Sequence, residues 1–325
     1  MERELFTSWA LREALAQEMR RDETVVLLGE DIAEYGGAFK VTEGLVHEFG
    51  PTRVRNTPIS ENGFVGVAVG AAMTGLRPVT EIMFMDFVAL AMDQLVNHAA
   101  KFHYIYGDGV TVPMVLRLPA GGGRGYGATH SQTLDSWFIS VPGLKVVAPW
   151  SPADAKGLLT AAIRDDNPVV FIEHKLLYPA KGPVPEGEHV VEIGKANRVR
   201  EGSDLTIISY SKMMDEALRA ADALAEAGVE CDVIDLRSLQ PLDDETLAES
   251  VARTGRAILI EEGVRQGGVM AEVACRVMEA AFDYLEAPLI RLGGGFAPIP
   301  CAEGLERTLM PTAADVVAAA HSILA

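Results

Sequence analysis

Two hydrophobic patterns take turns along the chain, one typical of buried strands and one typical of helices. This alternation predicts parallel sheets covered by helices. Short apolar runs that end at turn residues are typical of buried strands. Between them, apolar residues recur every three or four positions, as on one face of a helix. In the first half, the predicted strands are 24–29, 53–59, 79–83, 112–118, 144–148 and 169–173, and the predicted helices are 8–20, 63–76, 87–103 and 153–164.

The alternation stops between residues 178 and 188, where three prolines lie in a run without periodicity. Proline-rich segments of this kind are stiff connectors, so we predict a linker at 181–198 between domains 1–180 and 199–325. Beyond the linker, the predicted strands are 205–209, 231–235, 257–261 and 289–291, and the predicted helices are 215–226, 244–253, 269–282 and 313–324. This second domain is predicted to be a small doubly wound sheet.

One predicted helix, 63–76, carries no charge on any side. A helix without a polar face belongs inside a large protein or against a partner subunit. Pro58 biases Thr57 towards an extended conformation, so a strand and a turn lead into this helix. Glu61 lies at its start, where the helix dipole favours a negative charge. The pattern therefore singles out one carboxylate at the entrance of a buried helix.

Composition narrows the class of protein. The chain has 325 residues, 49% of them hydrophobic, and a net charge of −18. This length favours two domains, and the acidity argues against nucleic acid and anionic membranes as partners. No apolar run reaches the ~18 residues of a membrane span, and the start of the sequence lacks the pattern of a signal peptide. The three cysteines show neither a disulfide framework nor zinc spacing, so we predict a cytoplasmic protein.

A glycine-rich run, residues 121–127, precedes His130 and contains five glycines in seven residues. We interpret it as a mobile loop that can admit a bulky group. Its spacing matches neither a P-loop nor the dinucleotide fingerprint, which argues against phosphate binding and against a nicotinamide dehydrogenase. Histidine exchanges protons near neutral pH, so His130 is a candidate for proton transfer. The alternative is a histidine that only fixes the loop.

The run Thr57-Pro58-Ile59-Ser60-Glu61-Asn62-Gly63-Phe64, with His130-Ser131-Gln132 and Pro142-Gly143-Leu144-Lys145-Val146-Val147 downstream, resembles a known family. It is similar to the beta subunit of the thiamine-diphosphate-dependent first component of 2-oxoacid dehydrogenase complexes. The likeness covers nearly the whole chain. It implies a pyrimidine-binding thiamine-enzyme domain followed by a transketolase C-terminal-like domain.

The resemblance also implies roles for particular residues. Glu61 would activate the cofactor through its aminopyrimidine ring; the alternative is a helix-capping or interface glutamate. His130 would line the channel along which the acyl group passes to the lipoyl group. Met85 stands where several relatives carry an aromatic residue against the pyrimidine ring, with Phe87 beside it, although Met85 could equally fill the core.

A structural potassium ion is also implied, held by backbone carbonyls; a turn without metal is an equal alternative. The implied ligands are Met114, Ala162, Ile163, Asp165 and Asn167. The family's magnesium motif, Gly-Asp-Gly with an asparagine some thirty residues on, is missing, because Gly107-Asp108-Gly109 is followed by no asparagine before Asn167. We interpret that triplet as a turn and expect the diphosphate and Mg²⁺ on an alpha subunit.

The resemblance therefore predicts half of an active site. The whole enzyme would contain two alpha and two beta chains and would transfer an acyl group to a lipoyl-bearing acyltransferase. Pyruvate is the first choice of substrate, with acetoin and branched-chain 2-oxoacids as alternatives. A non-catalytic assembly subunit is the alternative of another class.

Overall fold

A computed structural model describes residues 3–324 of the chain. The chain divides into two compact units. The first unit consists of the chain up to Ala120 together with Trp137–Ile193, and the second of Gly121–Ser136 together with the chain from Gly194 onward. The glycine-rich loop and His130 therefore group with the second unit, although they precede much of the first unit in sequence.

From residue 3 to residue 184, strands and helices alternate along the chain. In chain order they are β1 (Arg3–Phe6), α1 (Thr7–Arg21), β2 (Val25–Gly29), α2 (Leu45–Phe49), β3 (Val54–Asn56), α3 (Glu61–Met73), β4 (Arg77–Glu81), a 3-10 turn (Met85–Phe87), α4 (Val88–Met92), a π-helical stretch (Asp93–Ala99), α5 (Ala100–Ile105), β5 (Val115–Ala120), α6 (Ser136–Ile139), β6 (Lys145–Val147), α7 (Pro152–Arg164), β7 (Val169–His174) and β8 (Lys181–Val184).

The strands of the first unit build a parallel sheet in the order β6-β7-β5-β4-β2-β3. Helices α1 and α7 share one apolar cluster with strand side chains, in which Leu11, Leu15 and Leu158 are fully buried. The start of α7 is as the sequence predicts, because the Ser151 hydroxyl accepts a hydrogen bond from the Asp154 N–H at 3.0 Å. The predicted α/β class is confirmed.

Two predicted elements differ from the structure. The strand predicted at 53–59 ends at Asn56; the Thr57 N–H still bonds the Gly29 carbonyl at 2.8 Å, but Pro58 has no N–H to extend the pairing. The helix predicted at 87–103 is interrupted by the π-helical stretch Asp93–Ala99. Helical periodicity along the sequence does not distinguish α-helical from π-helical turns.

The segment predicted as a linker, 181–198, is more ordered than its composition indicates. Its first residues form β8, which pairs antiparallel with β1. The buried ammonium group of Lys156 then binds the carbonyls of Pro185 (2.8 Å) and Gly187 (2.6 Å). These contacts attach the segment to the first unit.

The second unit is a smaller sheet in the order β14-β13-β10-β11-β9, parallel except for the antiparallel edge strand β9. Its elements are β9 (Asn197–Arg200), β10 (Leu205–Ser209), α8 (Met213–Glu226), β11 (Cys231–Asp235), β12 (Ser238–Gln240), α9 (Asp244–Thr254), β13 (Ala257–Val264), α10 (Val269–Ala281), a 3-10 turn (Phe282–Tyr284), β14 (Ile290–Gly294), α11 (Glu303–Arg307) and α12 (Ala313–Leu324). The four strands predicted from apolar runs, including 205–209 and 231–235, are all present.

No helix in the described part of the chain is long and apolar enough to cross a membrane.

Candidate active site

Glu61 is the first residue of α3 and lies at the carboxyl edge of the first sheet. The Thr57–Gly29 hydrogen bond fixes the turn between β3 and α3, and the helix then begins with the Phe64 N–H donating to the Ser60 carbonyl at 3.0 Å. The side chain of Glu61 is buried, with 5% of the residue exposed. Ligands of open parallel sheets bind at this edge, so the position of Glu61 suits a group that meets a ligand.

A second carboxylate, Glu30, lies in the electrostatic field of Glu61. It directly follows β2 and is buried, and its Oε1 atom has no hydrogen-bond partner within residues 3–324. Burial, and to a lesser extent the negative charge of Glu61, raise the pKa of Glu30 to about 7. The site therefore combines two buried acids, one of which holds a proton near neutral pH.

From the sequence alone, Glu30 was hard to distinguish from a surface acid. Its position at the carboxyl end of an apolar strand was the available signal, but many strands end in exposed acids. Its burial and its proximity to Glu61 arise from the packing of β2 beside α3.

Behind these acids, a buried ion network joins the ends of three strands. The Arg117 guanidinium binds both carboxylate oxygens of Glu173, each at 2.6 Å, and also binds Glu81. The Tyr178 hydroxyl donates to Glu173 at 2.7 Å. Burial raises the pKa of Glu81, which Arg117 opposes. One cation thus serves two carboxylates, and the network fixes the carboxyl ends of β4, β5 and β7.

A cleft of about 570 Å³ opens next to the start of α3. Its walls are mainly apolar and include Leu28, Val54, Phe64 and Val67. Polar groups enter it from the β3–α3 turn, at Asn56, Thr57 and Ser60. Apolar walls with a few polar groups are typical of sites for small organic ligands.

The two other predicted cofactor contacts, Met85 and Phe87, belong to one 3-10 turn but differ in exposure. Met85 is fully buried, so its side chain lies in the interior of the first unit. Phe87 is half-buried, and its ring lies 6.5 Å from that of Phe84. Of the two, Phe87 keeps the surface that a ligand could contact.

The turn predicted to bind potassium offers carbonyls that are already hydrogen-bonded. Arg77 Nη1 donates to the carbonyls of Ile163 (3.1 Å) and Asp165 (3.0 Å). The carbonyl of Met114 accepts from the Val169 N–H at 2.9 Å, and that of Ala162 accepts from the Asp165 N–H at 3.3 Å. The Asn167 N–H and side-chain amide both donate to the Asp165 carboxylate at 2.9 Å.

The Arg77 guanidinium already binds two of these carbonyls, and its positive charge opposes a second cation beside it, although each oxygen keeps a second lone pair.

His130 lies in the second unit, at the end of the glycine-rich loop. Its backbone N–H donates to the Gly127 carbonyl at 3.2 Å, and its Nδ1 lies 3.0 Å from the Thr129 hydroxyl. The loop itself is held by hydrogen bonds to the carboxylates of Glu262 and Glu306. These contacts, the positive φ angles at several of its glycines and the close packing there define one conformation of the loop. The mobility expected from its glycines stays a prediction.

Three of the loop amides donate to the carboxylates of Glu262 and Glu306. The triplet at Gly107-Asp108-Gly109 is a turn, as predicted, closed by the Asp108 N–H on the His103 carbonyl at 3.2 Å. Among residues 3–324, no group of three or more His, Cys, Asp or Glu side chains could hold a metal ion.

The second unit also contains buried acids that the sequence did not reveal. Burial raises the pKa of Asp135 to about 7 despite the neighbouring Tyr210 hydroxyl, and it raises the pKa of Glu261 to about 8 despite the N–H groups at the start of α10. Both residues are at most 3% exposed. Two acids here are neutral over part of the physiological pH range.

Comparisons with known proteins agree with this architecture. Residues 3–181 match the family described as "Transketolase, pyrimidine binding domain", and residues 194–316 match "Transketolase, C-terminal domain". A solved structure titled "Split gene transketolase, inactive beta4 tetramer" aligns with a TM-score of 0.78 at 26% identity, over 98% of each chain. The fold, with Glu61 at the carboxyl edge of the first sheet, thus defines a transketolase-type protein. It consists of a pyrimidine-binding domain and a transketolase C-terminal domain.

Relatives of known function show to which family of transketolase-type proteins the chain belongs. The pyruvate dehydrogenase E1 component subunit beta of Rhizobium meliloti is 48% identical over 97% of this chain and 68% of the relative. The mitochondrial subunit beta-1 of Arabidopsis thaliana is 48% identical over 95% of this chain and 86% of the relative. The pyruvate dehydrogenase E1 component subunit beta of Rickettsia felis is 47% identical over 97% of this chain and 96% of the relative. The chain belongs to the family of pyruvate dehydrogenase E1 beta subunits, which confirms the resemblance seen in the sequence.

Proposed function

We propose that this chain is the beta subunit of a pyruvate dehydrogenase first component. With its alpha subunit, it decarboxylates pyruvate oxidatively with thiamine diphosphate and transfers the acyl group to a lipoyl group on an acyltransferase. The observation that carries this proposal is Glu61, a buried carboxylate at the carboxyl edge of a pyrimidine-binding domain, with the protonated Glu30 in its field.

The described residues fit the aminopyrimidine half of the cofactor. Glu61 offers carboxylate oxygens to a ring nitrogen, and the unpartnered Glu30 oxygen offers a further polar contact. When bound, thiamine diphosphate supplies the carbon nucleophile that attacks the 2-oxo group.

Glu61 accepts the hydrogen bond of the ring nitrogen and holds the proton there. A charge-assisted hydrogen bond in a buried site contributes about 1.5–3 kcal/mol. With a pKa of about 7, Glu30 is partly protonated near neutral pH, which lessens the repulsion between the two carboxyl groups.

The diphosphate and its Mg²⁺ are assigned to the alpha subunit, because this chain lacks the magnesium motif and its glycine loop is engaged elsewhere. The outer side of α3 supports such a partner: it has no charge, Val67 is 64% exposed, and nearby Ile59 is 82% exposed. An apolar helix face of this kind favours burial against another chain. We assign an assembly of two alpha and two beta chains.

His130 is assigned to proton transfer as the acyl group passes to the lipoyl group, and Phe87 rather than Met85 to contact with the cofactor. Pyruvate is the substrate that the relatives' names support. Acetoin and branched-chain 2-oxoacids are the competing substrates, and parallel turnover assays on the three distinguish them.

Potassium is assigned to the carbonyl turn around Ile163 and Asp165. We expect K⁺ to raise the melting temperature of the chain above its value in Na⁺ at equal ionic strength. Equal melting temperatures in the two salts would remove this assignment.

The second candidate function is a non-catalytic assembly subunit, which the aligned structure of an inactive beta4 tetramer brings into view. Glu61→Gln in the reconstituted complex separates the two, with the exposed surface change Glu48→Gln as the control. We expect Glu61→Gln to lower kcat at least about tenfold, because an amide loses the charge-assisted hydrogen bond. Turnover near that of the control would favour the assembly role.

A further inference from the structure

The glycine-rich loop bonds to two carboxylates through three amide N–H groups, those of Gly122, Gly123 and Gly125. The Gly123 and Gly125 N–H groups donate to the two oxygens of Glu306, at 2.7 and 2.9 Å. The Gly122 N–H donates to Glu262 at 2.8 Å. These acids come from α11 and β13, far along the sequence from the loop, so the contacts are tertiary and not local turn bonds.

Glu306 is buried, with 1% of the residue exposed, and each of its carboxylate oxygens accepts one of the loop amides. Hydrogen bonds from backbone N–H groups to a carboxylate are charge-assisted and stronger than neutral ones. In a buried site, loss of the acceptor would also leave both N–H groups without a partner. Glu306 is thus the main attachment of the loop.

The glycines make this attachment sterically feasible. A Cβ atom on Gly122 would lie 2.2 Å from Met310 Cε and 3.0 Å from Glu306 Oε1. Gly125 has φ +67 and its Cβ would lie 3.0 Å from the Cys301 carbonyl. Side chains at these positions would push the loop away from α11.

The attachment extends to His130. The Gly121 N–H donates to the Gln132 carbonyl at 3.3 Å, which closes the loop at its base, and the His130 N–H donates to Gly127 at 3.2 Å. The Thr133 hydroxyl also donates to Glu262, at 3.2 Å. Residues on both sides of His130 are therefore bound to the same pair of acids or to each other.

We propose that Glu306, assisted by Glu262, is a positioning residue that holds the glycine-rich loop in the conformation that presents His130. This inference rests on the role assigned to His130 under the proposed function. The carboxylate of Glu306 binds N–H groups of the loop, and we assign Glu306 no part in the chemistry.

The test uses Glu306→Gln in the reconstituted complex of alpha, beta and lipoyl-bearing acyltransferase chains. Glutamine keeps the size of the side chain but turns an NH₂ group towards one of the loop N–H donors. Glu303→Gln is the matched control, because Glu303 lies on the same helix and is exposed. Glu262→Gln is the second variant, to be used if Glu306→Gln does not assemble.

Two measurements follow for each variant. Hydrogen–deuterium exchange of a peptide over 121–136 reports on the loop, and we expect at least about tenfold faster exchange in Glu306→Gln. Turnover is measured with the lipoyl acceptor and, separately, with ferricyanide as an artificial oxidant. We expect the lipoyl-dependent kcat to fall about tenfold, with the ferricyanide-dependent rate within about twofold of the control.

His130→Gln and the double variant show whether Glu306 acts through His130. We expect the double variant to be no slower than His130→Gln alone, because a positioning residue has no effect once its target is removed. Additive losses, or unchanged exchange of the loop in Glu306→Gln, would overturn the proposal.

A failure of the underlying function is distinguishable from these outcomes. If His130→Gln has normal turnover with both acceptors, the role of His130 and the positioning role fall together. The loss of activity in Glu61→Gln would then still support the proposed enzyme.

Discussion

The buried acid Asp135 predicts that the second unit loses stability as the pH rises. Burial raises the pKa of Asp135 to about 7 in the folded state, whereas an exposed aspartate has a pKa of about 3.9. The folded unit therefore retains a proton that the unfolded chain releases. The contribution of Asp135 to stability is complete below the unfolded pKa and is lost as the pH rises through the folded pKa.

The magnitude follows from the difference between the two pKa values. At about 1.36 kcal/mol per pH unit, ionising Asp135 in place costs about 4 kcal/mol above pH 8. Between pH 5 and pH 8, the free energy of unfolding of the second unit falls by about 3 kcal/mol because of Asp135. In Asp135→Asn, the side chain stays neutral at every pH, and its carbonyl oxygen can still face Tyr210. This variant should lose about 3 kcal/mol less than the wild type over the same range.

The assay must report on the second unit alone. All three tryptophans, Trp9, Trp137 and Trp150, belong to the first unit, so their fluorescence does not isolate unfolding of the second unit. Native-state hydrogen exchange of the β10 peptide Leu205–Ser209 does.

Asp283→Asn, an exposed acid of the same unit, is the control and should keep the wild-type pH dependence. Equal slopes for Asp135→Asn and the wild type between pH 5 and pH 8 would refute the assignment of the proton to Asp135.

Two further predictions concern the first unit. Because the pKa of Glu30 is about 7, Glu30→Gln should flatten the pH profile of kcat/KM between pH 6 and pH 8 in the assembled enzyme; an unchanged profile would show that this group does not titrate in the reaction. Arg117→Met should destabilise the first unit by about 3–5 kcal/mol, since two buried carboxylates lose their cation. Tryptophan fluorescence during urea unfolding measures this change, Arg20→Met is the exposed control, and a loss below 1 kcal/mol (about the value of a surface pair) would contradict it.

Local patterns were sufficient for the main elements. The strands Leu205–Ser209 and Cys231–Asp235 have the predicted bounds because each is a continuous apolar run between polar turn residues. The start of α7 follows from Ser151 and Pro152, and Glu61 lies at a helix start as predicted. These features depend on neighbours within one or two turns of the chain.

Features that depend on residues far apart in the chain could not be predicted from the sequence. Pairing of β8 with β1 joins the two ends of the first unit, and a proline-rich composition argues against a strand there. The sequence did not reveal the hydrogen bonds of the loop glycines, because their carboxylate partners lie 140 and 183 residues away.

The family motifs and the position of Glu61 were determined by the sequence alone, because both are ordered strings of residues whose local conformation is set nearby. The protonation of Glu30 and Asp135, the ion network around Arg117 and the attachment of the loop to Glu306 were decided only by the tertiary structure. Desolvation and Coulomb interaction depend on which groups are packed within a few ångströms, and residues far apart in the sequence supply most of those groups here.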